Sequence, residues 1–385
     1  MPKALGKSPR KEPIHLVFQI LIFILLFVYL YFLQTPKLTL AQHILSGGET
    51  SYSPFISSLI LTSVLTFVQE LVSRILRVQG RAYLLTAYPS FAICILLTAF
   101  TPTPNKWIIS TLLCTTLIFA LLCIIYWDRR NKREKEKNSL QLFWLHNISI
   151  LTGILFLAGI CSNNVDTENY EINVAKYILE GDYTEAIEVG KSSLATTRQL
   201  TALRAYALSK SDTLLAERLF TYPIPAGGVR NLLLDKFDNK YIILHRDTIY
   251  TLLGDKIKKK EQPLKYLQRM AAMSADSTNN AIATDYWLCA LLLEKDLTTF
   301  AKELPKYYAI NDSILLPKHY QEALLLTENS EHENYMGMDT TTVRSYTEFI
   351  DMETTEPVDE IRRANLLKLK KGDTYWWYYK YGRKE

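Results

Sequence analysis

The chain has 385 residues, 48% of them hydrophobic, with 44 Lys and Arg against 39 Asp and Glu. The net charge of +5 is unevenly spread: residues 1–161 hold 15 of the basic and 6 of the acidic residues, which leaves residues 162–385 net acidic. The basic excess sits in short segments beside apolar runs, which argues against nucleic-acid binding, and the five cysteines show no CxxC or other paired spacing, which argues against a disulfide framework or a zinc site.

Five apolar stretches occupy the N-terminal part, at residues 14–33, 55–72, 82–100, 107–127 and 142–160. A hydrocarbon layer of about 30 Å needs roughly 20 helical residues, so each stretch predicts a transmembrane helix. The first follows Lys3, Lys7, Arg10 and Lys11 and could be read as a signal peptide, but its apolar run is long, and Gln34-Thr35-Pro36 follows where a small-residue cleavage site would stand. The second is the weakest, with Ser57, Ser58, Thr62, Ser63 and Thr66 inside it and Gln69-Glu70 in its last turn. Glu70 and Arg74 are four apart, the spacing of an ion pair on one helical face. His146 and Asn147 add polar groups near the start of the fifth stretch. Tyr29, Tyr31, Tyr88, Trp107, Tyr126, Trp127 and Trp144 fall mostly at span ends, where amphipathic rings favour the headgroup layer.

Lys and Arg stay on the cytoplasmic side of a membrane. The four basic residues before the first stretch, then Arg74, Arg77 and Arg81, then Arg129, Arg130, Lys132, Arg133, Lys135 and Lys137 alternate with loops that carry only Lys37 and Lys106. Over five crossings this places the N-terminus inside and residues 162–385 outside. The 129–137 cluster can also meet anionic lipid headgroups. Leu157-Ala158-Gly159-Ile160-Cys161 has Ile where a lipoprotein cleavage box wants a small residue, and it lies far from the N-terminus.

After Cys161 the sequence becomes charged and helix-forming. Ile172, Ala175, Ile178 and Leu179 recur at three- and four-residue steps, Gly181-Asp182 interrupts, and Ala186, Ile187 and Leu194 follow on a second helix. Gly ends a helix by taking positive φ, and Asp caps the next one. The residues Tyr177, Gly181, Asp182, Tyr183, Ala186, Ile187 and Leu194 resemble a tetratricopeptide repeat. A second copy is similar over Leu203 to Leu208, Ser211-Asp212, Leu215-Ala216 and Leu219-Phe220, although Ser211 replaces the turn glycine and the spacing is short of the usual 34 residues. The repeat-defining positions are Tyr177, Gly181, Asp182, Ala186, Ala216 and Phe220. Residues 231–246 read equally as helix or, at 241–245, as a short strand. Helices are then predicted at 262–274, 281–294, 297–308, 317–326, 342–352 and 357–370. The pair at 281–308, turning at Lys295-Asp296, resembles a degenerate third repeat. The fold class implied is all-α: a five-span transmembrane bundle over residues 1–161, then a TPR-like helical domain over 162–385.

Two further motifs stand out. One is Pro317-Lys318-His319-Tyr320-Gln321-Glu322-Ala323-Leu324-Leu325-Leu326; the other is Gly372-Asp373-Thr374-Tyr375-Trp376-Trp377-Tyr378-Tyr379. With the span-plus-repeat layout, they resemble uncharacterised membrane proteins of Bacteroidales-type bacteria, a group that carries no activity over to this chain. The resemblance implies an inner-membrane location and a periplasmic C-terminal domain. Six aromatics in seven positions, from Tyr375 to Tyr381, predict either a terminal cap that closes the helical stack or a recognition surface on Tyr375, Trp376, Trp377 and Tyr378.

The six histidines are scattered, and His332 with its acidic neighbours reads as a solvated loop rather than a metal site. Glycine-loop nucleotide motifs and a nucleophile elbow are missing from the sequence, so no catalytic residue, metal or cofactor is assigned. The reading that results is a membrane protein presenting a helical-repeat domain to a protein partner, with membrane lipids as its other contact. The alternative is an enzyme or transporter for envelope glycans or lipids with a regulatory repeat domain. Its outer loops would supply only His43, Glu49 and Lys106.

Overall fold

A computed structural model describes residues 13–76, 80–98, 106–132, 140–161, 166–211, 215–221, 224–234, 244–245, 247–276, 281–309, 315–327, 338–355 and 359–382. Every regular element among them is helical. The basic residues at 3–11, Arg77, Arg133, Lys135, Lys137, Asp212, His332 and the ambiguous strand at 241–243 lie outside the described residues, as do the side chains of Trp107, Tyr126, Trp127, Trp144 and His146. The chain forms two compact units, residues 1–164 and 165–385.

In the first unit, α1 (Pro13–Val28) passes through a π-helical turn (Tyr29–Leu33) into α2 (Thr35–Ser46), so the predicted loop after the first apolar stretch begins as helix. Helix α1 buries Phe18, Ile22 and Leu26 at four-residue steps and exposes Leu16, Val17, Ile20 and Ile24. Helix α3 (Pro54–Leu76) inverts the polarity of a water-facing helix. Its buried stripe holds Ser58, Thr62, Leu65 and Gln69, whereas Phe55, Ile56, Ile60, Val64, Phe67, Leu71 and Ile75 point outward. The anticipated pair at its end forms, with Arg74 Nε donating to Glu70 Oε1 at 3.1 Å.

Among the described residues, two helices are long and apolar enough to cross a membrane, at Leu16–Leu33 and Pro54–Ile75. The third predicted span departs from expectation. It begins as a 3-10 segment, Gly80–Ala87, and continues as an α-helix, α4 (Tyr88–Thr98). Pro89 supplies the reason: it has no N–H to donate back into the preceding turn, so it can open a helix but cannot continue one. Tyr83, Leu84, Ala87, Tyr88, Phe91, Cys94 and Ile95 are buried at the centre of the unit, where Ser90 Oγ donates to the Leu65 carbonyl at 2.7 Å. Asn147 is fully buried rather than interfacial, and its Oδ1 accepts the Leu84 N–H at 3.1 Å. Tyr29 and Tyr88 are also buried. Helices α5 (Lys106–Lys132) and α6 (Leu140–Cys161) have 27 and 22 residues.

The second unit opens with α7 (Asp166–Glu180) and α8 (Tyr183–Glu188). Gly181 takes φ +78°, and Asp182 accepts the Glu185 N–H at 3.1 Å, as the sequence implies. Helix α8 ends after six residues where Val189 turns to ψ +120°, and Gly190, at φ +65°, then lies against the Tyr170 ring, where a Cβ would meet ring carbons at 3.0 Å. Leu194 therefore falls beyond the helix and is exposed, as is Leu179. Helix α9 (Arg198–Lys210) and the four-residue α10 (Leu215–Arg218) form the second pair. A 3-10 turn (Val229–Leu232), α11 (Asp247–Leu253) and α12 (Pro263–Asp276) then lead to α13 (Ala281–Leu293).

Helix α13 is buried without interruption from Ala283 to Leu293 and is the hub against which α10, α11, α12 and α14 (Leu297–Tyr307) pack. Its turn into α14 matches that of α7–α8 bond for bond. Lys295, at φ +62°, takes the place of Gly181, and Asp296 accepts the Thr299 N–H at 3.0 Å. Asp296 N–H donates to the Leu291 carbonyl at 3.0 Å, as Asp182 N–H does to that of Tyr177 at 2.9 Å. Helices α15 (Lys318–Leu324), α16 (Thr340–Thr355), α17 (Glu360–Lys371) and α18 (Tyr375–Tyr381) complete the unit.

Candidate functional site

The two sequence motifs, more than fifty residues apart, interlock. Helix α15 carries His319, which is fully buried. Its Nε2 accepts the Phe220 N–H at 3.2 Å, so the ring proton sits on Nδ1, which donates to Glu322 Oε2 at 2.7 Å. Glu322 Oε2 also accepts the Tyr375 N–H at 2.8 Å, at the first turn of α18, and the Glu322 carbonyl accepts Trp376 Nε1–H at 2.7 Å. Tyr375 and Tyr378 reach across to the C-terminal carbonyls of α13, donating to Leu292 at 3.0 Å and Leu293 at 2.9 Å. Phe220 packs on the rings of His319, Tyr375 and Tyr378 at 4.8–5.1 Å. Thr374 caps α18 by accepting the Trp377 N–H.

Tyr375, Trp376, Trp377 and Tyr378 are all buried. A recognition surface would need these rings outside, whereas they face α13, α15, α16 and α17. Of the repeat-defining positions, Ala186, Ala216 and Phe220 are fully buried, Gly181 and Asp182 form the turn, and the Tyr177 carbonyl receives the bond that closes it. Only Phe220 among them belongs to this locus.

Lys295 ties the locus to the α13–α14 turn. Its Nζ donates to the Gly382 carbonyl at 2.7 Å and lies 5.5 Å from the Tyr378 ring centroid. A left-handed conformation costs a non-glycine residue about 1 kcal/mol, and these contacts offset it.

Beside the interlock lies a cleft of about 630 Å³, lined by polar groups of both signs. Lys318 donates from Nζ to the Asp373 carbonyl at 3.1 Å and from its backbone N–H to Glu217 Oε1 at 3.1 Å. Lys371 donates to Ser345 Oγ at 2.8 Å and Glu348 Oε2 at 2.9 Å, and this ammonium holds the Glu348 carboxyl below its ordinary range. Lys370 lines the same cleft and is exposed. Among the described residues, no group of three or more His, Cys, Asp or Glu side chains converges as a metal site.

A second buried network lies behind α15. Asp285 Oδ1 accepts Tyr308 OH at 2.6 Å and Tyr320 OH at 2.8 Å, with Cys289 Sγ 3.8 Å from the Tyr320 hydroxyl. Burial pushes the Asp285 carboxyl above the usual carboxylate range, partly opposed by the two hydroxyls. A folded-state value above the unfolded one means that this group's contribution is fully present in acid and is lost as pH rises through the raised value. Asp285→Asn keeps the oxygen acceptor without the charge, so it is expected to stay within about 1 kcal/mol of the parent at neutral pH and to flatten that pH slope. Asp285→Ala orphans both tyrosine hydroxyls and is expected to lose about 2–4 kcal/mol. Thermal melts of the two variants between pH 4 and 8 check both. Sequence reading missed Asp285 and the His319–Glu322 bond; the i, i+3 spacing of the latter was the available signal.

Residues 246–382, about a third of the chain, match a family of unknown function, DUF6057. The matched region contains both interlocking motifs, the Asp285 network and the α13 hub. No curated protein and no solved structure matches the chain.

Proposed function

We propose that this is an integral inner-membrane protein whose C-terminal helical unit docks a protein partner in the Lys318–Lys370–Lys371 cleft. The cleft carries the reading: it is roomy, polar and charged, and its walls are braced by a buried interlock that costs several long-range hydrogen bonds to assemble. Rigid walls lower the ordering cost of binding. The His319 and Asp285 networks use their polar atoms on internal partners, which favours a binding role over a catalytic one.

The membrane reading draws on the exposed apolar faces of α1 and α3 and on the buried polar stripe of α3, an arrangement that turns apolar side chains outward and polar ones inward. The basic-residue alternation supports an N-terminus in the cytoplasm and the C-terminal unit in a periplasm, and the matching α7–α8 and α13–α14 turns support shortened TPR-like pairs. In this reading α5 and α6 also cross, with α4 completing an odd number of passes despite its broken start.

Two measurements test this. Alkaline phosphatase fused after Glu385 is expected to be active and after Asn138 inactive; the reverse pattern inverts the topology. A photo-crosslinking residue at Lys370 in the full chain is expected to trap one discrete protein adduct that is lost in Lys371→Glu. Repeated recovery of the chain alone removes the docking role.

A further inference from the structure

The loop that joins α11 to α12 contributes no residue to the cleft and carries a charge of its own. Residues 247–269 hold six Lys and Arg against three Asp and Glu, in a half of the chain that is net acidic. All three acids already have partners. Asp247 accepts Lys256 Nζ at 2.7 Å, Asp255 accepts Arg269 Nη1 at 2.8 Å, and Glu261 accepts Arg269 Nε at 2.9 Å and Nη2 at 3.0 Å. The Arg269 guanidinium holds the Asp255 and Glu261 carboxyls below their ordinary range. This leaves Lys258, Lys259 and Lys260 exposed and outside every ion pair among the described residues.

The bonds that occupy the acids also frame the loop. Arg269 Nη2 donates to the Lys256 carbonyl at 3.3 Å, Tyr266 OH donates to the Asp255 carbonyl at 2.6 Å, and Glu261 Oε2 accepts the Lys258 N–H at 2.8 Å. The Glu261 N–H donates to the Lys258 carbonyl at 3.0 Å, closing a turn whose third residue, Lys260, sits at φ +69°. That position favours glycine, which takes positive φ without steric cost. A lysine is held there instead. Three successive cations therefore stand on a backbone fixed from both flanks, which needs little further ordering to bind.

We infer that Lys258, Lys259 and Lys260 bind the phosphate headgroups of anionic lipid at the membrane surface. The inference rests on the membrane reading of the first unit; it is independent of the cleft and of which side of the membrane the C-terminal unit occupies. The make-up of the loop favours lipid over a protein. Protein interfaces are poor in lysine and rich in aromatic residues, and residues 254–262 contain no aromatic. Compact ammonium charges suit a diffuse anionic layer rather than one bidentate partner. On the membrane reading, the apolar helices also hold this loop at high effective concentration beside a bilayer.

The test uses the full chain with a photo-crosslinking residue at Gln262, which is exposed and leaves every lysine in place. The chain is reconstituted in nanodiscs of phosphatidylcholine alone or of an equimolar mixture with phosphatidylglycerol. Lipid adducts are expected to be about fivefold or more abundant in the mixture, the factor that one lysine supplies at an anionic surface, and to fall at high salt. Changing the three lysines together (Lys258→Gln, Lys259→Gln and Lys260→Gln) is expected to remove that excess without moving Tm, whereas changing them to Arg retains it. Equal adducts in the two lipid compositions, or an excess that survives the three Gln changes, overturns the inference. So does a protein adduct at Gln262 in native membranes in place of lipid. A rise in Tm with inorganic phosphate at constant ionic strength, lost in the Gln variant, assigns the lysines to free phosphate and overturns it too. Carbonate extraction separates this failure from that of the membrane reading. Release of the chain from membranes removes both, whereas a retained chain without the lipid excess loses only the lysine contact.

Discussion

Replacing Trp376 by Ala is expected to be the most damaging single substitution in the C-terminal unit, at about 3–5 kcal/mol. The indole is 1% exposed, lies 5.1 Å from the Tyr346 ring and 6.0 Å from that of Phe349, and shares a core with Leu325 and Leu367. Truncation opens a cavity under α18 and deprives the Glu322 carbonyl of its indole donor. Trp376→Phe keeps most of the volume and loses only that bond, so a cost of about 1–2 kcal/mol is expected. Near-UV circular dichroism melts of the full chain separate the two variants. Limited chymotrypsin digestion adds a local readout, since undocking of α18 exposes aromatic cleavage sites between Tyr375 and Tyr381. If Trp376→Ala melts like the parent and keeps the tail protected, the aromatic segment is not a structural cap.

How far the sequence reveals this molecule depends on how local the determining interaction is. Helices α12 to α17 follow from apolar periodicity, and their starts and stops lie within a few residues of expectation, because three- and four-residue spacing is a local property. The Gly181-Asp182 turn is equally legible, and Lys295-Asp296 repeats it with a residue that seldom takes positive φ. The third apolar stretch changes from 3-10 to α-helix at Pro89, a change that an average of hydropathy does not register. Helix α3 reads as a weak span because its Ser, Thr and Gln residues lower its mean hydropathy, yet the buried ones among them gather on one inward face. The interlock lies beyond any local pattern. Its bonds join His319 to Phe220, 99 residues away, and Tyr375 to Leu292, 83 residues away. The aromatic tail is conspicuous as composition, but only three-dimensional closure reveals that it caps the carbonyls of α13.

Glu322 offers the sharper test of the interlock, because its role is electrostatic rather than steric. One carboxylate oxygen receives both the His319 Nδ1–H and the Tyr375 N–H, and the side chain is almost wholly buried. Glu322→Ala strands both donors in the interior and is expected to cost about 3–5 kcal/mol, with α18 released as in Trp376→Ala. Glu322→Gln retains a carbonyl oxygen at the same reach and can accept both bonds, so it is expected to recover more than half of that loss. Lys318, whose Nζ stands 3.9 Å from Glu322 Oε1, keeps Asp373 as its partner in either variant. A double-mutant cycle between His319→Ala and Glu322→Ala isolates the pair, with a coupling of about 1–3 kcal/mol expected for groups in direct contact. Because α15 carries one wall of the cleft and Glu322 is part of its lining, loss of the bond should also lower photo-crosslinking at Lys370. If Glu322→Gln and Glu322→Ala lose equal stability, acceptance by this oxygen is not what holds the terminal helix, and the aromatic packing around Phe220 must carry the docking by itself.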